Sequence, residues 1–298
     1  MNYDDIINCF IDSLLVNKKS SENTVSAYKR DIGNFFEYIL LNKIEYDRVT
    51  SDDVLAYKSF LISSGKSAST VSRSMSSLRS FYKYLVTVSI CEANPTSKVK
   101  NDKVEKKFFE VLTEDEVDTL LSVPDVTTYK GKRDKAILEI LYATGLKVSE
   151  LISLNVSDVN VKMGCVKCVS GGPGKSRLIL LYPKAVKAVG DYLDSSRLYF
   201  VSDNGENALF VNTNGERMTR QGLWKLIKLY ADAADIKKSI TPQTLRHSFA
   251  THLIENGADI NDIKDILGHS DISSTNVYSD FIKSKINSSY LKFNHRSK

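Results

Sequence analysis

Little in this chain of 298 residues offers special chemistry to hold it together. Its four cysteines, Cys9, Cys91, Cys165 and Cys168, are scattered, which excludes a disulfide framework and predicts reduced thiols in a cytoplasmic protein. With five prolines and one tryptophan there is no Pro-rich tract, and no low-complexity segment or internal repeat is present. No apolar run approaches the roughly 18 residues that a membrane-spanning helix needs, so no membrane partner is expected. The first residues, Met1 to Ile7, are acidic where a secretory leader would be basic. The charge imbalance is also small, +5 with a pI near 8.8, and by itself leaves nucleic acid as one of several polyanionic partners.

What is present is an ordinary globular composition, 42% apolar and 26% charged, in a chain long enough for two domains. Residues 1 to 95 read as helices. Ile6, Ile7, Phe10, Ile11, Leu14 and Leu15 make one apolar stripe, and Tyr28, Ile32, Phe35, Phe36 and Ile39 make a second. Thr50 or Ser51 caps a third helix that stops near Gly65, and a fourth begins near Ser69 with Val71, Met75, Leu78, Phe81 and Leu85. From Lys66 to Lys103 seven basic residues, Lys66, Arg73, Arg79, Lys83, Lys98, Lys100 and Lys103, face two acidic ones. That stretch is either a solvated helix face or a surface that tracks phosphates. Residues 96 to 107 are polar, Lys-rich and aperiodic, as an interdomain linker would be.

The remainder, 108 to 298, alternates helices with a few strands. Thr113 to Glu116 forms a capping box, a buried helix runs from Arg133 to Leu146, and Lys147 stands at the start of the next helix. Val159 to Val161, Cys165 to Val169 and Arg177 to Leu181 read as strands, followed by a helix over Pro183 to Leu193. A short extended piece at Leu209 to Val211 precedes a helix over Arg220 to Ala234. The fold class is therefore mostly α with a small β-sheet.

The chemistry concentrates between Thr241 and Tyr278. Arg246 offers a fork suited to phosphate, His269 can share a proton near neutral pH, and Tyr278 can act as a nucleophile. Together they suit phosphoryl transfer with no cofactor, neither metal nor nucleotide. Gly174-Lys175-Ser176 ends like a phosphate-binding loop, but Val169 stands where that motif needs glycine and a strand follows instead of a helix. Cys165 and Cys168 lack the second ligand pair of a zinc site, and alternation turns them to opposite strand faces. His247 and His252 are five apart, not the four of a helical metal pair, which favours a structural histidine.

The blocks Glu22 to Asp31, Leu78 to Leu85, Glu92 to Pro95, Ala143 to Leu151, Leu245 to Leu253 and Leu267 to Ser270, with the terminal Tyr278, stand in one order and spacing. Along its whole length the chain resembles the tyrosine recombinase, or phage-integrase, family of the Xer type. The resemblance implies an N-terminal helical, SAM-like core-binding domain and an α+β catalytic domain that close on a duplex DNA half-site. It also implies homo- or hetero-oligomers on DNA docked through a final helix at about 284 to 293. In its terms Tyr278 is the nucleophile, forming a 3′-phosphotyrosyl link, with Arg246, His269 and Glu150 around the phosphate.

Three positions depart from the family pattern. Lys147 stands at the first arginine, Gln243 at the first histidine, and Gly172 at the hairpin lysine that protonates the leaving oxygen, with Lys175 three residues on as a substitute. Lysine keeps the charge but loses the two-toothed fork, and glutamine cannot exchange a proton. Removing one preorganised donor typically lowers a rate by about 10²–10³. Two functions follow: a recombinase that cuts through Tyr278, or a cleavage-deficient relative that binds DNA or joins a synapse. A helical RNA-binding protein, the third reading, would prefer RNA to duplex DNA.

Overall fold

Apolar residues spaced three and four apart become the inner faces of four helices: α1 (Tyr3–Lys18), α2 (Glu22–Leu41), α3 (Ser51–Ser63) and α4 (Ala68–Thr87). The computed structural model describes residues 3–18, 22–99, 109–169, 176–201, 206–268 and 274–282. The chain divides into two compact units, Met1–Lys107 and Phe108–Lys298. In the first, Phe10, Ile32, Phe35, Leu78 and Phe81 are fully buried, with Phe35 edge-on to Tyr57 at 5.0 Å and Phe10 edge-on to Phe81 at 5.4 Å. Thr50 and Asp53 close a capping box on α3, and Ser67 caps α4 through the Thr70 N–H. Asp31 of α2 is buried yet satisfied: Arg73 donates two hydrogen bonds of 2.9 Å to it and Ser77 a third.

The second unit is built on α6 (Tyr129–Thr144), which is buried nearly all round and carries α5 (Glu114–Ser122), α8 (Pro183–Asp191) and α11 (Pro242–Glu255) against it. Burying this helix also buries Arg133, Asp134 and Glu139, and each finds a partner. Arg133 pairs with Asp134 at 2.8 Å, Tyr230 donates to Asp134, and Lys135 pairs with Glu139. α6 starts at Tyr129, earlier than the expected Arg133, because Thr128 caps it through the Gly131 N–H. Only glycine fits there, since a Cβ on residue 131 would lie 1.9 Å from the Asp125 carbonyl oxygen.

The short helix α7 (Val148–Ser153) leads into an antiparallel sheet of order β1 (Val159–Asn160), β2 (Cys165–Val169) and β3 (Ser176–Leu180). Cys168 of β2 lies opposite Arg177 of β3. The helix expected to stop at Leu193 continues through a π-turn at Tyr192–Ser196 into α9 (Arg197–Phe200), held because Tyr192 is buried and donates to the Leu209 carbonyl. The expected extended piece at Leu209 to Val211 is only flanked by isolated bridges, Asn155 with Ala208 and Val211 with Arg217. α10 (Arg220–Ala233), α12 (Ile260–Leu267) and a helical stretch at 274–282 complete the unit. Among the described residues no helix is long and apolar enough to cross a membrane.

Candidate active site

Thr241 caps α11 and Pro242 opens it, so that Arg246 falls in the second turn, facing inward. It is 2% exposed. Burial pulls its guanidinium below the usual value, while Tyr278 and Glu150 oppose that pull. Its donors are taken by the C-terminal ends of two helices: Nη1 bonds the Gly145 carbonyl after α6 and Nη2 the Leu267 carbonyl at 2.8 Å. Gly145 permits this approach by ending α6 in the left-handed region at φ 56°, where a Cβ would meet the Phe249 ring at 2.6 Å. The charge of the same guanidinium acts on the phenol of Tyr278.

Tyr278, on the 274–282 stretch, is also 2% exposed. Burial raises its phenol above the usual value, and the charge of Arg246 acts the other way. Its oxygen lies 3.1 Å from Nδ1 of His247. The imidazole is held by Phe109, stacked at 4.2 Å and 21°, and Phe109 also packs edge-on against Tyr278 at 5.3 Å. Burial first, then the Arg246 charge, lowers His247 to about 4, so it is neutral at pH 7.

Glu150 sits in the first turn of α7 and accepts the Lys147 N–H at 2.9 Å. Arg177 of β3 grips it with both teeth, at 3.1 and 2.9 Å, and donates Nε to the Ile266 carbonyl at 2.6 Å. Gly268, at φ 64°, lies under this guanidinium, where a Cβ would be 2.5 Å from Nη1. Strand, α7 and the end of α12 are thus tied together beside Arg246.

The sequence-derived residues are placed unevenly. Arg246, Tyr278 and Glu150 lie in this cluster, whereas the side chains of Lys147 and Gln243 are exposed, at the start of α7 and in the first turn of α11. His269, Gly172, Lys175, Lys100, Lys103 and the expected helix at 284 to 293 lie outside the described residues. In the first unit Lys66, Lys83 and Lys98 are exposed, while Arg73 is engaged by Asp31 and Arg79 donates to the Val99 carbonyl at 2.8 Å. His252 is structural, bonded to the Tyr142 hydroxyl and the Leu112 carbonyl, both at 2.9 Å. Among the described residues no group of His, Cys, Asp and Glu could hold a metal ion.

Sequence reasoning passed over Arg177, His247 and Phe109 as members of the cluster. Two signals were available: Arg177 ends the hairpin block, and His247 lies one turn after Gln243, on the same helical face. Nothing local marks Phe109, which meets the site only through tertiary packing.

The phage integrase family model matches residues 110–284, and the model of the phage integrase N-terminal SAM-like domain matches residues 7–88. The chain is 42% identical over 291 residues to tyrosine recombinase XerD of Oceanobacillus iheyensis, covering 97% of each chain. It is 40% identical to tyrosine recombinase XerD of Staphylococcus epidermidis, covering 98% of this chain and 99% of that one. Among solved structures, XerA recombinase aligns over 98% of this chain and 99% of its own at 26% identity with a TM-score of 0.54. The post-cleavage complex of XerH site-specific recombinase with a palindromic difH substrate shares the fold, covering 90% and 79% of the two chains at 20% identity and a TM-score of 0.73. Identity of this degree, sustained through both units and across the elements that bring Arg246 to Tyr278, establishes that the chain belongs to the phage integrase family of tyrosine recombinases.

Proposed function

We propose that this protein cuts and rejoins duplex DNA at specific sites through Tyr278. The phenol attacks a backbone phosphodiester, a 3′-phosphotyrosyl link forms as the bond to the 5′ oxygen breaks, and the freed 5′-hydroxyl later reverses the step. The carrying observation is that Arg246 and Tyr278 are buried in one cluster where the guanidinium charge acts on the phenol, which sets a cationic fork beside a nucleophile. In this reading Glu150, gripped by Arg177, orients the site, and Lys147 lends a point charge in place of a fork. Gln243 hydrogen-bonds, His269 contacts phosphate, and Lys175 stands in for the lysine replaced by Gly172. Lys66, Lys83 and Lys98 are the surface cations that suit a DNA backbone, with Lys100 and Lys103 following in sequence. Arg73 and Arg79 support that surface from within. The protein works in the cytoplasm and assembles with itself or a related recombinase on DNA through residues 284 to 293.

Selecting bound duplexes from fragmented genomic DNA defines the site, and a nicked suicide substrate built on it tests the chemistry. A covalent adduct that disappears in Tyr278→Phe is the expected result. Tight, site-specific binding with no adduct in repeated trials would sink the enzyme reading. It would favour a cleavage-deficient synapse partner, for which the altered trio Lys147, Gly172 and Gln243 speaks.

A further inference from the structure

A phenol that attacks phosphorus must lose its proton as the O–P bond forms, and the local geometry limits where that proton can go. Arg246 has only donors, so it cannot take the hydrogen. Glu150 is gripped by the Arg177 fork and the Lys147 N–H. Gln243, at the family's histidine position, is exposed and cannot exchange a proton. One turn along the same helix, Nδ1 of His247 lies 3.1 Å from the Tyr278 oxygen, its ring fixed by the Phe109 stack. A phenol hydrogen donated along this contact meets the Nδ1 lone pair of the neutral imidazole, whose own proton then sits on Nε2.

We propose that His247 is the general base of strand cleavage, taking over one turn later on α11 a proton-exchanging role that Gln243 cannot fill. The inference rests on the recombinase reading above. In cleavage the Tyr278 proton passes to Nδ1 as the O–P bond forms, and the 5′ oxygen departs with a proton from the general acid of the recombinase reading above. In rejoining the 5′-hydroxyl attacks, its proton returns to the same general acid, and the tyrosine oxygen leaves with the proton from Nδ1. The proton cannot move ahead of attack, since the phenol is raised above its usual value and His247 lies near 4. It moves with bond formation, when the phenol becomes acidic and negative charge gathers on the phosphate.

The test measures single-turnover adduct formation on saturating nicked suicide DNA with full-length wild type, His247→Asn, His247→Phe and Tyr278→Phe. Asparagine keeps an acceptor where Nδ1 stands but cannot carry the proton, so a lost hydrogen bond and a lost base are separated, and thermal melting confirms folding. His247→Asn and His247→Phe should each form adduct about 10²–10⁴-fold more slowly than wild type. The defect should persist on a substrate whose 5′ bridging oxygen is sulfur, a leaving group that needs no proton. Wild-type rates in folded His247→Asn, faster cleavage in either variant, or full rescue by the sulfur substrate would each overturn the base assignment while the recombinase reading stands. No adduct from wild type itself would bring down both.

Discussion

Glu150 keeps its charge although burial pushes its carboxyl up, because the Arg177 hydrogen bonds, the Lys147 N–H and the two positive charges outweigh that push and leave it below the ordinary value. The unfolded chain therefore takes up this proton first on acidification. The stability Glu150 contributes is complete above the unfolded value of about 4.3 and is lost as pH falls through the lower folded value. Glu150→Gln should melt lower than wild type at pH 6, with the gap closing towards pH 3. His247 acts in a separate window, since its folded value of about 4 lies below the ordinary 6.5. The unfolded chain again protonates first, so stability falls between pH 6.5 and 4, and His247→Asn should flatten that limb. A melting curve of His247→Asn parallel to wild type across this window would contradict the assignment. Removing Arg177 leaves a buried carboxylate without its fork, and Arg177→Ala should lose about 3–5 kcal/mol in urea unfolding. Adding Glu150→Gln to Arg177→Ala should recover part of that loss, and no recovery would show that the pair is not the cause.

At the scale of elements, the Thr113 capping box on α5 is the kind of feature that sequence displays fully: Thr113 accepts the Glu116 N–H, and Glu116 returns the bond. Thr113→Ala should lose about 1 kcal/mol, a drop of roughly 2–4 °C in Tm for a domain of this size. Helix periodicity, caps and the strands β2 and β3 were legible for the same reason, because each is encoded within a few residues. The early start of α6 was not. It depends on Gly131 fitting over the Asp125 carbonyl, a contact that periodicity does not contain. The continuation of α8 through its π-turn depends likewise on Tyr192 reaching Leu209, seventeen positions away. The site divides along the same line. Arg246 and Tyr278 could be named from their blocks, but the Arg177 grip spans α7, β3 and the end of α12, and no local pattern announces a partner 27 positions distant. Gly268→Ala should act through that grip by pressing on the Arg177 guanidinium, and should lower Tm more than an alanine at Gly33, whose Cβ would meet nothing within 4 Å.

For the whole molecule, the net charge of +5 is modest, so affinity for DNA should come from placed lysines more than from bulk charge. Each phosphate contact releases counterions, and the slope of log affinity against log salt should lessen by about 1 for each contacting lysine removed. Lys66→Ala and Lys83→Ala, measured by fluorescence anisotropy from low to moderate salt, test this, and an unchanged slope would remove both from the DNA surface. A different consequence follows from the 2% exposure of Tyr278. A phosphodiester reaches the phenol only in molecules where the cover over the site has opened to solvent. Measured affinity for a cleavable site is then the intrinsic affinity reduced by the fraction of molecules in that open form. Tyr278→Phe removes the hydroxyl that His247 holds, so it changes this conformational equilibrium as well as the chemistry. The variant built to be inert should capture DNA several-fold more tightly than the protein it is meant to imitate.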